Sequence, residues 1–141
     1  MIQRKQSLFL LLSVLLNVLL IYLPLYELIT TDTTSGQQQF ITSNAILTIL
    51  NGAIGVLCFF AIFFFKNRKL QIRICNLSIL LTCILIGLLF FAADSVSSAH
   101  NQRIHYLYGT YFPLIEILFI FLATRGIKKD EDLVRSADRL R

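Results

Sequence analysis

Charge is scarce in this sequence. Of its 141 residues only 15% are Asp, Glu, Lys or Arg, against 56% apolar, too few to clothe an ordinary soluble domain. Other marks of common function classes are also missing. The three cysteines form no Cys-x-x-Cys pair, and none falls in a loop assigned below to the outer face, which argues against thiol–disulfide chemistry. His100 and His105 are too awkwardly spaced to stack on one helical face, and nothing completes a metal shell around them, so neither a metal nor another cofactor is expected. Asp94, Ser95 and His100 occur together without the strand–turn–helix that holds a nucleophile. No enzyme is expected. The bases lack any interleaved base-stacking pattern, so the net charge of +5 does not point to nucleic acid.

What the chain does have is apolar runs long enough to cross a bilayer. A helix needs roughly 20 residues to span about 30 Å of hydrocarbon. Four runs qualify, at about 6–27, 43–65, 75–93 and 106–124. Together they fill most of the sequence and leave room for a single membrane domain with brief connections. The fold class is therefore all-α, a membrane-embedded four-transmembrane-helix bundle. The first run resembles a signal peptide, with Arg4 and Lys5 ahead of it. Its uncharged stretch from Gln6 to Tyr26 exceeds a signal core, and it leads into Leu23-Pro24-Leu25-Tyr26-Glu27 rather than a small-residue cleavage site. We read it as a retained span.

Twelve of the thirteen Lys and Arg residues then fall on one side. Arg4 and Lys5 precede the first span; Lys66, Arg68, Lys69 and Arg73 lie between the second and third; Arg125, Lys128, Lys129, Arg135, Arg139 and Arg141 follow the fourth. Only Arg103 lies opposite. Basic residues in short loops stay cytoplasmic during insertion, which puts both termini on the cytoplasmic side of the membrane. The five tyrosines agree: Tyr22, Tyr26, Tyr106, Tyr108 and Tyr111 all fall near the outer interface, where a ring with a polar tip is favoured. Arg125-Gly126 reads as the end of the fourth helix, since Gly often terminates helices. The tail beyond it continues that helix or rests on lipid headgroups. Its Glu131–Arg135 and Lys128–Asp132 pairs, four apart, support helix.

Three stretches resemble a known family. Met1-Ile2-Gln3-Arg4 with the run ending in Leu23-Pro24-Leu25, the turn Asn67-Arg68-Lys69-Leu70-Gln71-Ile72-Arg73, and the tail from Arg125-Gly126-Ile127-Lys128-Lys129-Asp130-Glu131 to Arg141 are similar to signatures of a bacterial, Bacteroidetes-type four-helix integral membrane family. It is known as domain of unknown function 4293. The resemblance implies a multi-pass inner-membrane protein and supplies no activity.

Glu116 is the residue most able to carry chemistry. On these boundaries it lies near the middle of the fourth span, where a charged side chain costs about 2.5–3.5 kcal/mol on insertion scales. It should face the bundle, be protonated, or both. Pro113, three residues earlier, should free the carbonyl of Gly109 and kink the helix. Asn17, Asn51 and Thr82 are polar partners at similar depth. Small and polar seams recur at spacings of three and four: Asn44, Thr48, Asn51, Gly55 and Cys58 on the second span, and Gly109, Pro113, Glu116, Ile120 and Ala123 on the fourth. The third span offers Thr82, Cys83 and Gly87. The cysteines are expected to be free, buried packers.

Two functions remain open. One is a structural or accessory component of a membrane assembly, acting through a membrane-protein partner or a second copy. Its bases Arg68, Lys69, Arg73, Lys128, Lys129, Arg135 and Arg139 would meet anionic lipid headgroups or that partner, each adding about 1 kcal/mol toward anionic lipid. The other is a small proton- or cation-coupled transporter with Glu116 as the coupling acid.

Overall fold

The structure, a computed structural model, describes residues 3–29, 36–100 and 103–139, with side chains left out at 3–5, 66, 99–100, 135 and 137–139. Among the described residues there are four α-helices, α1 (Gln3–Tyr22), α2 (Ala45–Phe63), α3 (Arg68–His100) and α4 (Phe112–Arg139). Three short strands join them at one end: β1 (Pro24–Ile29), β2 (Gln37–Phe40) and β3 (Arg103–Tyr106). Helices α2, α3 and α4 are long and apolar enough to cross a membrane, and the described apolar part of α1, Gln6–Tyr22, is somewhat shorter. The result is a mostly helical membrane bundle.

Each helix buries one stripe. The stripe is Gln6, Leu10, Ser13, Asn17 and Leu20 on α1, and Leu47, Asn51, Ile54, Cys58 and Ala61 on α2. On α3 it runs Gln71, Cys75, Ser78, Thr82, Leu85 and Leu89. Glu116, Ile120, Ala123, Ile127 and Asp130 continue it on α4. Alternating steps of three and four average about 3.5 residues, the period at which neighbouring helices interlock in a left-handed bundle. The stripes hold nearly all the buried polar side chains, while Leu, Ile and Phe crowd the outside. Lipid solvates apolar side chains as well as a protein core does, so small and polar groups decide which helix surfaces meet.

Several boundaries differ from those read in the sequence. The first helix ends at Tyr22 rather than near residue 27. Leu23 precedes Pro24 and is pushed toward extended backbone, and Pro24 is tolerated as the first residue of β1. β1 is the central strand, antiparallel to both neighbours, with Tyr26 opposite Gln39 on β2 and Tyr106 on β3. The loops facing that end are therefore partly sheet. Thr30 to Thr34 and Ser35, expected there as polar loop, lie outside the described residues.

The connection between α2 and α3 is shorter than the gap between the second and third apolar runs. A 3-10 turn over Phe64–Lys66 leads at once into α3, which runs on past residue 93 to His100. Asn44 opens α2 by accepting a hydrogen bond from the Ile46 N–H at 3.0 Å. α4 passes straight through Gly126, which does not end it. A Cβ there would lie 2.9 Å from Gln6 Cγ, so this glycine is needed for close approach of α1.

The sheet is fastened to the start of α4. The Leu25 carbonyl accepts from Leu107 N at 2.9 Å and from the Thr110 hydroxyl at 2.5 Å. Gly109 packs on the Pro24 carbonyl, where a Cβ would come within 2.5 Å of the oxygen. Tyr22, Tyr108 and Tyr111 are exposed as interfacial anchors should be, but Tyr26 is buried within the sheet. Burial and the neighbouring Tyr106 push the Tyr26 phenol above its ordinary pKa of 10.0.

Candidate functional site

Three helices bring one side chain each to a single polar cluster. Asn17 of α1 donates through Nδ2 to Asn51 Oδ1 of α2 at 3.0 Å and to Glu116 Oε1 of α4 at 3.2 Å. Asn51 Nδ2 returns the contact, donating to the Asn17 carbonyl at 3.3 Å and to its Oδ1 at 3.4 Å. Glu116 is 1% exposed. Gly55 of α2 faces the same amide, and a Cβ there would sit 2.5 Å from Asn17 Oδ1. The Asn44–Cys58 seam read in the sequence thus turns only Asn51, Gly55 and Cys58 toward the centre. Asn44 caps the helix, and Thr48 donates its hydroxyl to the Ile41 and Asn44 carbonyls, both at 2.9 Å. The seam of α4 faces inward throughout: Gly109, Pro113, Glu116, Ile120 and Ala123 are all buried.

Two of the expected partners are not in the cluster. Thr82 is buried, but its hydroxyl goes to the Ser78 carbonyl on its own helix at 2.8 Å. Pro113 lies in the first turn of α4, directly after the 3-10 turn Tyr108–Tyr111. A first-turn proline lacks a donor that the helix would leave unpaired anyway, so it starts the helix and does not kink it. Glu116 stands four residues from the start of α4, about 6 Å, and Asn17 five residues from the end of α1, so both lie toward the ends of their helices that carry the sheet.

A second polar cluster at the other end was not read in the sequence. Gln6 Nε2 donates to Asp130 Oδ2 at 2.6 Å, and both side chains are buried. Arg68 Nη1 donates to the Asp130 carbonyl at 2.9 Å, while Gln71 Nε2 donates to the Ala61 carbonyl at 2.9 Å. The first turns of the tail are thus part of the bundle. The signal was available: Ala123, Ile127 and Asp130 continue the fourth seam with the same spacing. Around this cluster Lys69, Arg73, Arg125, Lys128 and Lys129 are exposed, with Arg68 partly buried by its bond to the tail. The side chains of Arg135 and Arg139, expected to join them, lie outside the described residues.

Cys58 and Cys75 are buried and free, whereas Cys83 is free but exposed on the apolar outer face. Gly87 is exposed too, so Thr82 alone of the third-span candidates points inward. Among the described residues no three His, Cys, Asp or Glu side chains are grouped to hold a metal ion. Every fully buried side-chain nitrogen or oxygen among them has a hydrogen-bond partner.

Comparison with known families matches residues 2–140 to the model of domain of unknown function 4293. The chain belongs to this family. No curated protein and no solved structure matches it. Membership of domain of unknown function 4293 covers both clusters and the sheet without assigning any of them a task. Two of the stretches that resemble this family's signatures meet in the fold, because Arg68, after the turn between α2 and α3, binds the backbone of Asp130 in the tail.

Proposed function

We propose that the chain is a multi-pass inner-membrane protein with both termini cytoplasmic, serving as a structural or accessory component of a membrane assembly and catalysing no reaction. The observation that carries this reading is the closed exchange among Asn17, Asn51 and Glu116. The Glu116 carboxyl accepts from Asn17, whose amide is in turn held by Asn51. An acid so held pins α1, α2 and α4 together. Side-chain hydrogen bonds between helices in a bilayer average about 0.6 kcal/mol, so the cluster specifies the arrangement as much as it strengthens it.

The exposed cations Lys69, Arg73, Lys128 and Lys129 supply a second surface, suited to anionic headgroups or to an acidic membrane-protein partner. A second copy of the chain is an equal candidate for the exposed apolar flanks. Glu116→Gln tests the reading. The variant should accumulate, and in gentle detergent it should copurify with the same proteins as the parent. Loss of a proton-driven flux in vesicles, with the bundle intact, would instead establish the transporter. A reporter fused after Arg141 tests orientation and should be active only in the cytoplasm.

A further inference from the structure

A groove of about 350 Å³ opens on the flank of the bundle between the start of α2 and the last turns of α3. Its floor is apolar, formed by Leu47, Leu88, Ala92 and Val96. Its mouth lies between Ile46 and Phe91, which are 65% and 71% exposed and face where lipid would be. At the sheet end the lining turns polar, with Gln39, Ser43, Asn44 and Ser95. None of the lining residues carries a formal charge. From Leu88 to Ser95 the groove follows α3 for about 10 Å.

The rim chemistry narrows the occupant. Ser95 already donates its hydroxyl to the Phe91 carbonyl at 2.7 Å, and Asn44 Oδ1 already accepts from Ile46 N. Ser43 Oγ accepts from Phe40 N at 3.4 Å, which leaves its hydroxyl proton to give. The Asn44 and Gln39 amides offer N–H donors as well. The groove thus combines an apolar trough with neutral donors at its polar end. It lacks the cation that a phosphate would need. We infer that this groove binds one acyl chain of a bilayer glycerolipid, with the chain's ester carbonyl accepting from the Gln39–Ser43–Asn44 rim. With the termini cytoplasmic, as proposed above, that lipid belongs to the outer leaflet. The groove itself does not depend on orientation, and neither does its test.

The full chain is reconstituted into vesicles of phosphatidylethanolamine and phosphatidylglycerol. These carry a trace of ester-linked phosphatidylethanolamine with a photoreactive diazirine on one acyl chain, and labelled residues are mapped by peptide mass spectrometry. Labelling should concentrate on Leu47, Leu88 and Ala92, above the lipid-facing Leu118 and Phe121 of α4. Ala92→Phe should fill the trough and abolish the excess while leaving Leu118 and Phe121 labelled. An ether-linked probe should label the groove about fivefold less, as expected for one neutral hydrogen bond. Ser43→Ala, which leaves the trough intact, should bring the ester probe toward the ether level. Equal labelling of groove and α4 flank overturns the site. Equal labelling by ester and ether probes overturns the rim assignment.

Discussion

Replacing Asn17 by Leu removes the one side chain that touches both other members of the polar cluster. It deletes the donations to Asn51 Oδ1 and Glu116 Oε1 and the acceptance from Asn51 Nδ2, at 3.0, 3.2 and 3.4 Å. At about 0.6 kcal/mol each in a bilayer, three contacts amount to about 2 kcal/mol. The larger consequence is what remains. Glu116, 1% exposed, is left without its Asn17 donor, and an unpaired buried polar group costs about 1–3 kcal/mol more. The total is about 3–5 kcal/mol. Adding Glu116→Leu to Asn17→Leu removes the orphaned carboxyl and should restore about 1–3 kcal/mol. Unfolding of the reconstituted chain in mixed micelles, titrated with a denaturing detergent and followed by helical circular dichroism, measures Asn17→Leu, Glu116→Leu alone and the double variant. If Asn17→Leu changes stability by less than about 0.5 kcal/mol, or if the two substitutions simply add, the cluster is not a coupled unit.

Other expectations follow from single contacts. Gly109→Ala should destabilise the chain by about 1–3 kcal/mol, because its Cβ meets backbone oxygen that cannot move aside. Gly87→Ala, with nothing within 4 Å, should instead stabilise α3 by up to about 1 kcal/mol, and thermal melts of the two variants make the comparison. A chain stopped after residue 126 loses Ile127 and the Asp130 bonds to Gln6 and Arg68 and should lose at least about 2 kcal/mol, read from its melt beside the parent's. Above pH 10.0 the buried Tyr26 phenol keeps a proton that the unfolded chain has released, so stability should fall as pH rises through that range. Tyr26→Phe should flatten that fall, which equilibrium unfolding at stepped pH would show.

The bundle was legible because its signals are long. Apolar runs of membrane length and cations at one end are set by the bilayer, so little else had to be known. The fourth seam from Gly109 to Ala123 was likewise readable, since a bundle helix repeats its buried positions. Asn17 and Asn51 could be named beside Glu116 because few strongly polar groups lie in those spans, whereas Thr82, named with them, bonds within its own helix. The sheet was hidden. Leu23-Pro24 could have ended α1 five residues earlier, but strands of four to six residues carry little periodicity, and β1 pairs on one side with β3, about 80 residues away. Gly126 misled for a different reason: the same lack of a side chain suits a helix end and a close helix crossing. Pro113 misled because its effect depends on where the helix starts.

Gln6 and Asp130 are separated by 124 positions, and Asn17 and Glu116 by 99. The first helix therefore waits, already in the membrane, for ligatures that the ribosome has not yet made. At about 5–20 residues per second these intervals are roughly 5–25 s. During them the amide of Asn17 can find Asn51 but not its acidic partner. A polypeptide stalled before its last helix would display an unfinished polar face to whatever surveys the bilayer, and so announce its own incompleteness.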